Sequence, residues 1–298
     1  MTSLRATLLI SVLRLLRAKR WLDDPERFWP IVRRLAEKGP AEPGRRRERA
    51  LLIRRERVAG HLVFVAGPRE GGSGARLLFL HGGAYVLHLQ SVHWRLIEDL
   101  VSRTGATVVA PIYPLAPGAG WHEISALVRT VYDGLVAERG AEAVSVLGDS
   151  AGGGLTLAFA MALRDAGVPL PRRLVLLSPW LDVSASGPGQ PALDRRDPLL
   201  GLHGAKEVGR VYARASGMAP EDPRVSPLFG RLAGLPPILL LTGTRDILNA
   251  EAHRLHAAAR AEGAPLSLRE YPEMIHDWMT LPLPEGRRAL DEVAAFLA

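Results

Sequence analysis

Gly148-Asp149-Ser150-Ala151-Gly152 lies between a short apolar run, Ala143-Val144-Ser145-Val146-Leu147, and an Ala-rich apolar stretch from Leu155 to Leu163. That order confines this part of the chain to a strand, a sharp turn and a helix. A turn so tight strains the serine backbone, and side chains at the flanking glycines would clash with strand or helix. The serine hydroxyl is pushed into the open above the carboxyl end of a parallel sheet, the geometry of a nucleophile elbow.

The surrounding pattern supports that sheet. Strand-like runs at Leu77–Leu80, Thr107–Ala110, Val144–Leu147, Leu174–Leu177, Ile238–Leu241 and Leu266–Glu270 alternate with helical stretches starting near Val92, Glu123, Gly152 and Ala250 and ending in one near Arg287–Leu297. Leu51–Ile53 and His61–Ala66 read as antiparallel strands before it. The expected fold class is α/β: a mostly parallel central sheet with right-handed crossovers, flanked by helices and carrying a helical cap. The catalytic domain is expected over residues 46–298. The alternation stops between Pro179 and Pro236, so a cap insertion is expected at about 181–225, joined by an amino-terminal helical cap segment over 1–45.

A nucleophilic serine needs a base, an orienting acid and donors for the oxyanion. The run Arg76–Leu80 ends in His81-Gly82-Gly83-Ala84-Tyr85, where successive glycines let backbone N–H groups converge on a substrate oxygen. The expected donors are the N–H groups of Gly82, Gly83 and Ala151. Alanine at position 84 fits provided that its φ is negative. Tyr85 and Asp149 are the expected substrate contacts.

Asp246 and His276 each follow a strand-like run, and the order Ser150, Asp246, His276 suits this arrangement. An unperturbed imidazole base would lose activity on acidification with a midpoint at about 6–7. Glu251 is the second candidate acid, set too far into its helix. His253 and His256 read as helix surface rather than a metal site. His61, His88, His93, His122 and His203 have no suitably placed partner. No metal and no cofactor are expected.

The chain resembles the hormone-sensitive-lipase-like branch of the α/β-hydrolases. The resemblance rests on His81–Tyr85, Tyr113-Pro114-Leu115-Ala116-Pro117, Gly148–Gly153, Asp222–Leu228, Asp246 and His276-Asp277, in family order over roughly residues 75–298. It implies catalytic roles for Ser150, Asp246 and His276, and a carboxylesterase acting on short- to medium-chain esters. An amidase or deacetylase with the same residues, and a non-catalytic small-molecule receptor, are the alternatives. By the same analogy the chain could pair with a second copy through an edge strand. Two departures stand out: Ala84 replaces the third loop glycine, and Gly118 stands where relatives more often carry glutamate.

Charge is unevenly spread. Residues 1–60 hold 16 Lys+Arg against 7 Asp+Glu, whereas 61–298 hold 22 against 24, so the basic character belongs to the amino-terminal segment. A near-neutral body argues against nucleic acid as partner. Arg45-Arg46-Arg47 and Arg54-Arg55 read as a solvated face. With no cysteine, disulfides and thiolate metal sites are excluded. Ala6–Leu16 is too short an apolar stretch to span a bilayer and lacks a signal-peptide cleavage pattern, so the expected location is the cytoplasm. It reads as an amphipathic helix of the cap, with contact to a membrane surface as the less favoured alternative.

Overall fold

The computed structural model describes residues 2–298. Four helices come first: α1 (Leu4–Leu15), α2 (Lys19–Asp23), α3 (Pro25–Lys38) and α4 (Gly44–Ala50). Strands β1 (Leu52–Val58), β2 (His61–Gly67) and β3 (Arg76–Leu80) precede α5 (Ser91–Thr104), β4 (Thr107–Pro111), α6 (Trp121–Arg139), β5 (Val144–Asp149), α7 (Ala151–Asp165) and β6 (Leu174–Leu177). Then come α8 (Gln190–Asp194), α9 (Leu202–Ala215), β7 (Ile238–Gly243), α10 (Asn249–Glu262), β8 (Leu266–Tyr271) and α11 (Pro284–Leu297). The α/β class expected from the alternation is the one observed.

All eight strands form one sheet, in the order β1-β2-β4-β3-β5-β6-β7-β8. Only the pairings of β2 with β1 and with β4 are antiparallel. The inner parallel strands β3 to β7 are largely buried on both sides because helices cover both faces, whereas the edge strand β8 is not. Their side chains alternate between two cores. Leu78, Leu80, Val146, Leu176 and Leu240 point into one, under α6, α7 and α10. Leu77, Phe79, Leu147, Val175 and Leu241 point into the other, under α5 and α11.

Two registers position the site. Leu80 lies opposite Gly148, which sets the loop after β3 beside the turn after β5. Gly243 lies opposite Tyr271, which sets the loops after β7 and β8 side by side. These four strands run in one direction, so their carboxyl ends share one edge of the sheet.

The amino-terminal segment divides. Ala6 and Ile10 of α1 enter the core shared with α11, whereas Phe28 and Val32 of α3 enter the opposite core. The chain breaks between α2 and α3 at Asp24. Asp24 caps α3, accepting from the Glu26 N–H at 3.0 Å. Residues 46–50, expected to begin the body, fall in a further short helix, α4. Its arginines are partly paired: Arg46 and Arg47 hold Glu98.

The elbow depends on close backbone approach. A Cβ built on Gly152 would stand 1.9 Å from the Leu80 carbonyl oxygen, which cannot yield without moving β3. Gly152→Ala should therefore destabilise the fold by about 2–4 kcal/mol, seen as a drop in Tm of roughly 3–6 °C. Gly134→Ala, on the open face of α6 with nothing within 4 Å, should be neutral or slightly stabilising. Equal melting temperatures for the two variants would contradict this account.

Candidate active site

Ser150 sits between β5 and α7 with φ 53° and ψ −122°, a conformation that costs an L-residue about 1–3 kcal/mol. The surrounding hydrogen bonds hold it there. Its N–H donates to Leu177 O at 2.8 Å, and its carbonyl accepts from Trp180, Gly153 and Gly154. The hydroxyl meets His276 Nε2 at 2.9 Å. On the far side of the ring, His276 Nδ1–H donates to Asp246 Oδ2 at 2.8 Å. The three residues named from chain order thus come together across three loops.

Asp246 is fully buried, and the Leu248 N–H donates to its Oδ1 at 2.9 Å. Beside it lies Asp197, whose carboxylate accepts from the N–H groups of Leu199, Leu200 and Ile247. Burial, with the charge of Asp246 added, pushes the Asp197 carboxyl up to about 7. Glu251 does not approach the histidine. It accepts from the Leu181 and Asp182 N–H groups and from Gln190, tying α10 to the stretch after β6. His253 lies on the surface of α10, paired with Glu270 at 2.6 Å.

The loop after β3 departs from expectation in three ways. The Gly82 N–H is already committed: it donates to Asp149 Oδ1 at 3.0 Å. Gly82 also lies outside the cleft wall, which contains Gly83 and Ala84 instead. The N–H groups of Gly83 and Ala84 meet no acceptor among the described residues. Ala151 is the first residue of α7, so its N–H has no acceptor one turn back. The amides left without an acceptor are therefore those of Gly83 and Ala84, and the Gly82 N–H expected to join them is not among them.

Second, Ala84 has φ 54° and Tyr85 φ 62°, both left-handed, so the condition of a negative φ at Ala84 fails. The turn is held by Val86 N–H and Leu87 N–H, which both donate to Gly83 O. Third, Tyr85 is buried rather than facing substrate. Its ring stacks on Tyr212 of α9 with centroids 3.7 Å apart.

Asp149 is fully buried, and it braces the loop. Besides the Gly82 N–H it meets His93 Nε2 at 3.1 Å. Burial opposes its charge, but His93 and the Gly82 N–H outweigh that and hold the carboxyl below its usual range. His93, set aside on sequence, belongs to this brace. A signal was present: His93 stands three residues after Gln90 at the start of α5, and its Nδ1 accepts from the Gln90 N–H at 2.8 Å as in a capping box. The Tyr113 segment braces the loop from behind, since its ring stacks on His81 at 4.2 Å and its hydroxyl donates to His81 O. Burial pulls the His81 imidazole down to about 3, so it stays neutral.

Asp277 was given no role by its position in the chain. It lies in the left-handed region at φ 51°, with Oδ2 3.2 Å from His276 Nε2, the nitrogen that faces Ser150. Burial raises the Asp277 carboxyl, and the charges of Asp149 and Asp246 add to that. Burial would lower the His276 imidazole, but Asp246 on one nitrogen and Asp277 near the other outweigh it. The imidazole is held above the ordinary histidine range.

Ser150 and His276 open on a cleft of about 240 Å³ with mostly apolar walls. Leu22 of α2, Phe28 of α3, Trp180, and Gly204 and Val208 of α9 contribute to it. The Gly204 N–H donates to Asp23 Oδ1 at 2.9 Å, linking α9 to the amino-terminal helices.

These features have counterparts. A family profile described as alpha/beta hydrolase fold matches residues 77–280. An acetyl-hydrolase of Streptomyces hygroscopicus is 38% identical over 228 residues, covering 75% of either chain. An esterase of Acinetobacter venetianus is 31% identical over 278 residues, covering 91% of this chain and 88% of its own. Among solved structures, an esterase from the bacterial hormone-sensitive lipase family superposes with a TM-score of 0.83 at 28% identity, covering all of this chain and 98% of that one. The chain accordingly belongs to the α/β-hydrolase family, as an esterase- and lipase-type member of its hormone-sensitive-lipase-like branch.

Proposed function

We propose that the protein is a serine carboxylesterase that cleaves short- to medium-chain esters through an acyl-enzyme. The observation that carries this reading is the imidazole of His276, hydrogen-bonded at once to Ser150 Oγ and Asp246 Oδ2 at the floor of an apolar cleft. Neutral His276 takes the Ser150 proton as Oγ attacks the ester carbonyl. The N–H groups of Gly83, Ala84 and Ala151 stabilise the oxyanion, and Asp246 holds the ring in the tautomer with its lone pair on Nε2. The imidazolium returns its proton to the leaving alkoxide, which departs as the alcohol. Water, deprotonated by the same nitrogen, then attacks the acyl carbon; the bond to Ser150 Oγ breaks, the imidazolium returns the proton to Oγ, and the acid is released. Residues 1–45 and about 181–225 act as the cap that shapes the acyl and alcohol sites and excludes water.

Ser150→Ala should lower kcat by about 10⁴–10⁶, and Asp246→Asn by about 10⁴ through the wrong tautomer. Turnover of p-nitrophenyl acetate within tenfold of wild type by the alanine variant would end the assignment.

The pH dependence follows from the two carboxylates around His276. The base works only as the neutral ring, and its pKa is raised, so kcat/KM should keep climbing above pH 7 rather than level off after a midpoint at about 6–7. Asp277→Asn removes the acidic group 3.2 Å from Nε2 and should move the acid limb down by about one unit or more. An unmoved limb would show that Asp277 is not felt at Nε2.

The modest cleft should give the highest kcat/KM for acyl chains of about two to six carbons, with at least about a tenfold fall by twelve. Matched p-nitroanilides should be slower than p-nitrophenyl esters. Faster anilide cleavage would shift the assignment to an amidase.

A further inference from the structure

Helix α1 is apolar on two opposite faces. Ala6 and Ile10, with Leu9 and Leu13 beside them, pack into the core next to α11. On the reverse, Leu4, Leu8, Val12 and Leu15 form a second stripe at helical spacing, continued by Leu16 and by Trp21 of α2. Leu4 is 88% exposed and Leu15 81%. The nine large apolar side chains exposed among the described residues include all six of these, so the feature is concentrated rather than scattered. The expected one-sided amphipathic helix is thus a docked helix with a spare apolar face. That face is held rigidly, because Ser3 at the head of α1 binds the Glu285 carboxylate of α11 through both N–H and hydroxyl.

Charge identifies what would cover it. Residues 1–22 contain no Asp or Glu. Arg5, Arg14, Arg17 and Arg20 are exposed, and none is paired with a carboxylate among the described residues. A second copy docked by a twofold axis would bring these guanidinium groups together with nothing to neutralise them. An anionic lipid surface accepts the whole set: leucines at the acyl boundary, Trp21 at the headgroups, and guanidinium groups on phosphate. No helix among the described residues is long and apolar enough to cross a membrane, so contact would be peripheral. Trp21 belongs to this surface and Leu22 to the cleft wall, so the two meet within α2.

We infer that the outer face of α1 and α2 is a docking surface for anionic phospholipid bilayers. The full chain should co-sediment with vesicles of phosphatidylcholine containing about 30 per cent phosphatidylglycerol at least about tenfold more strongly than with phosphatidylcholine alone. Leu4→Gln/Leu8→Gln/Leu15→Gln should abolish binding while leaving turnover of p-nitrophenyl acetate in solution unchanged. Arg5→Gln/Arg17→Gln, changing two exposed side chains, should weaken binding by about 25-fold, at about fivefold per arginine. This second variant keeps the test decisive if the leucine variant folds poorly. Equal affinity for both vesicle types, or wild-type affinity in the arginine variant, would overturn the inference. So would absent vesicle binding together with a dimer, seen by sedimentation, that the leucine variant dissolves; that result would give the face to a second copy.

Discussion

Asp149 carries a carboxylate into the buried space between the elbow and the loop after β3, where it joins the Gly82 N–H to the His93 ring. A buried carboxylate is costly unless paired and hydrogen-bonded, so this contact works as a geometric lock. It takes the Gly82 N–H out of play and leaves the amides of the next two residues, both in the cleft wall, without an acceptor. The stack of Tyr113 on His81 closes the loop from the other side. A loop of small residues is thereby as well braced as the sheet it leaves.

Backbone strain collects around the same point. Ser150, Ala84, Tyr85 and Asp277 all have positive φ, and each lies in or beside the cleft wall. A chain keeps such conformations only where its neighbours over-determine them. Here they are over-determined by the pairing of β3 with β5 and by hydrogen bonds that converge on Ser150 and Gly83. The strained residues Ser150, Ala84 and Asp277 thus share one cleft wall.

The electrostatics are less usual than the geometry. His276 has a carboxylate on each side, Asp246 on Nδ1 and Asp277 near Nε2. The first is hydrogen-bonded to the ring at 2.8 Å; the second lies 3.2 Å from the nitrogen that meets the Ser150 hydroxyl. Asp197 adds a third acidic group behind Asp246, held by backbone amides. The site is thus biased toward a protonated imidazole, which an isolated histidine would not be at neutral pH.

Much of this was legible along the chain. Alternating apolar runs implied the parallel sheet because an inner strand, buried on both faces, must be largely apolar along its length. Glycines around Ser150 implied the elbow because no other residue lets β3 and α7 approach so closely. The order of Ser150, Asp246 and His276 picked out residues that do converge, since each follows a parallel strand and those ends share an edge. What the sequence could not supply were facts about who meets whom. Whether Gly82 or Ala84 offers a free amide depends on Asp149, sixty-seven positions away from Gly82. Tyr85 looked like a substrate contact until its ring was found against Tyr212, and His93 looked unpartnered until Asp149 reached it. Local pattern determines where strands, turns and helices fall, because sterics and burial act on neighbours in the chain. Hydrogen-bond partners and pKa values are settled through space, and only the packed structure assigns them.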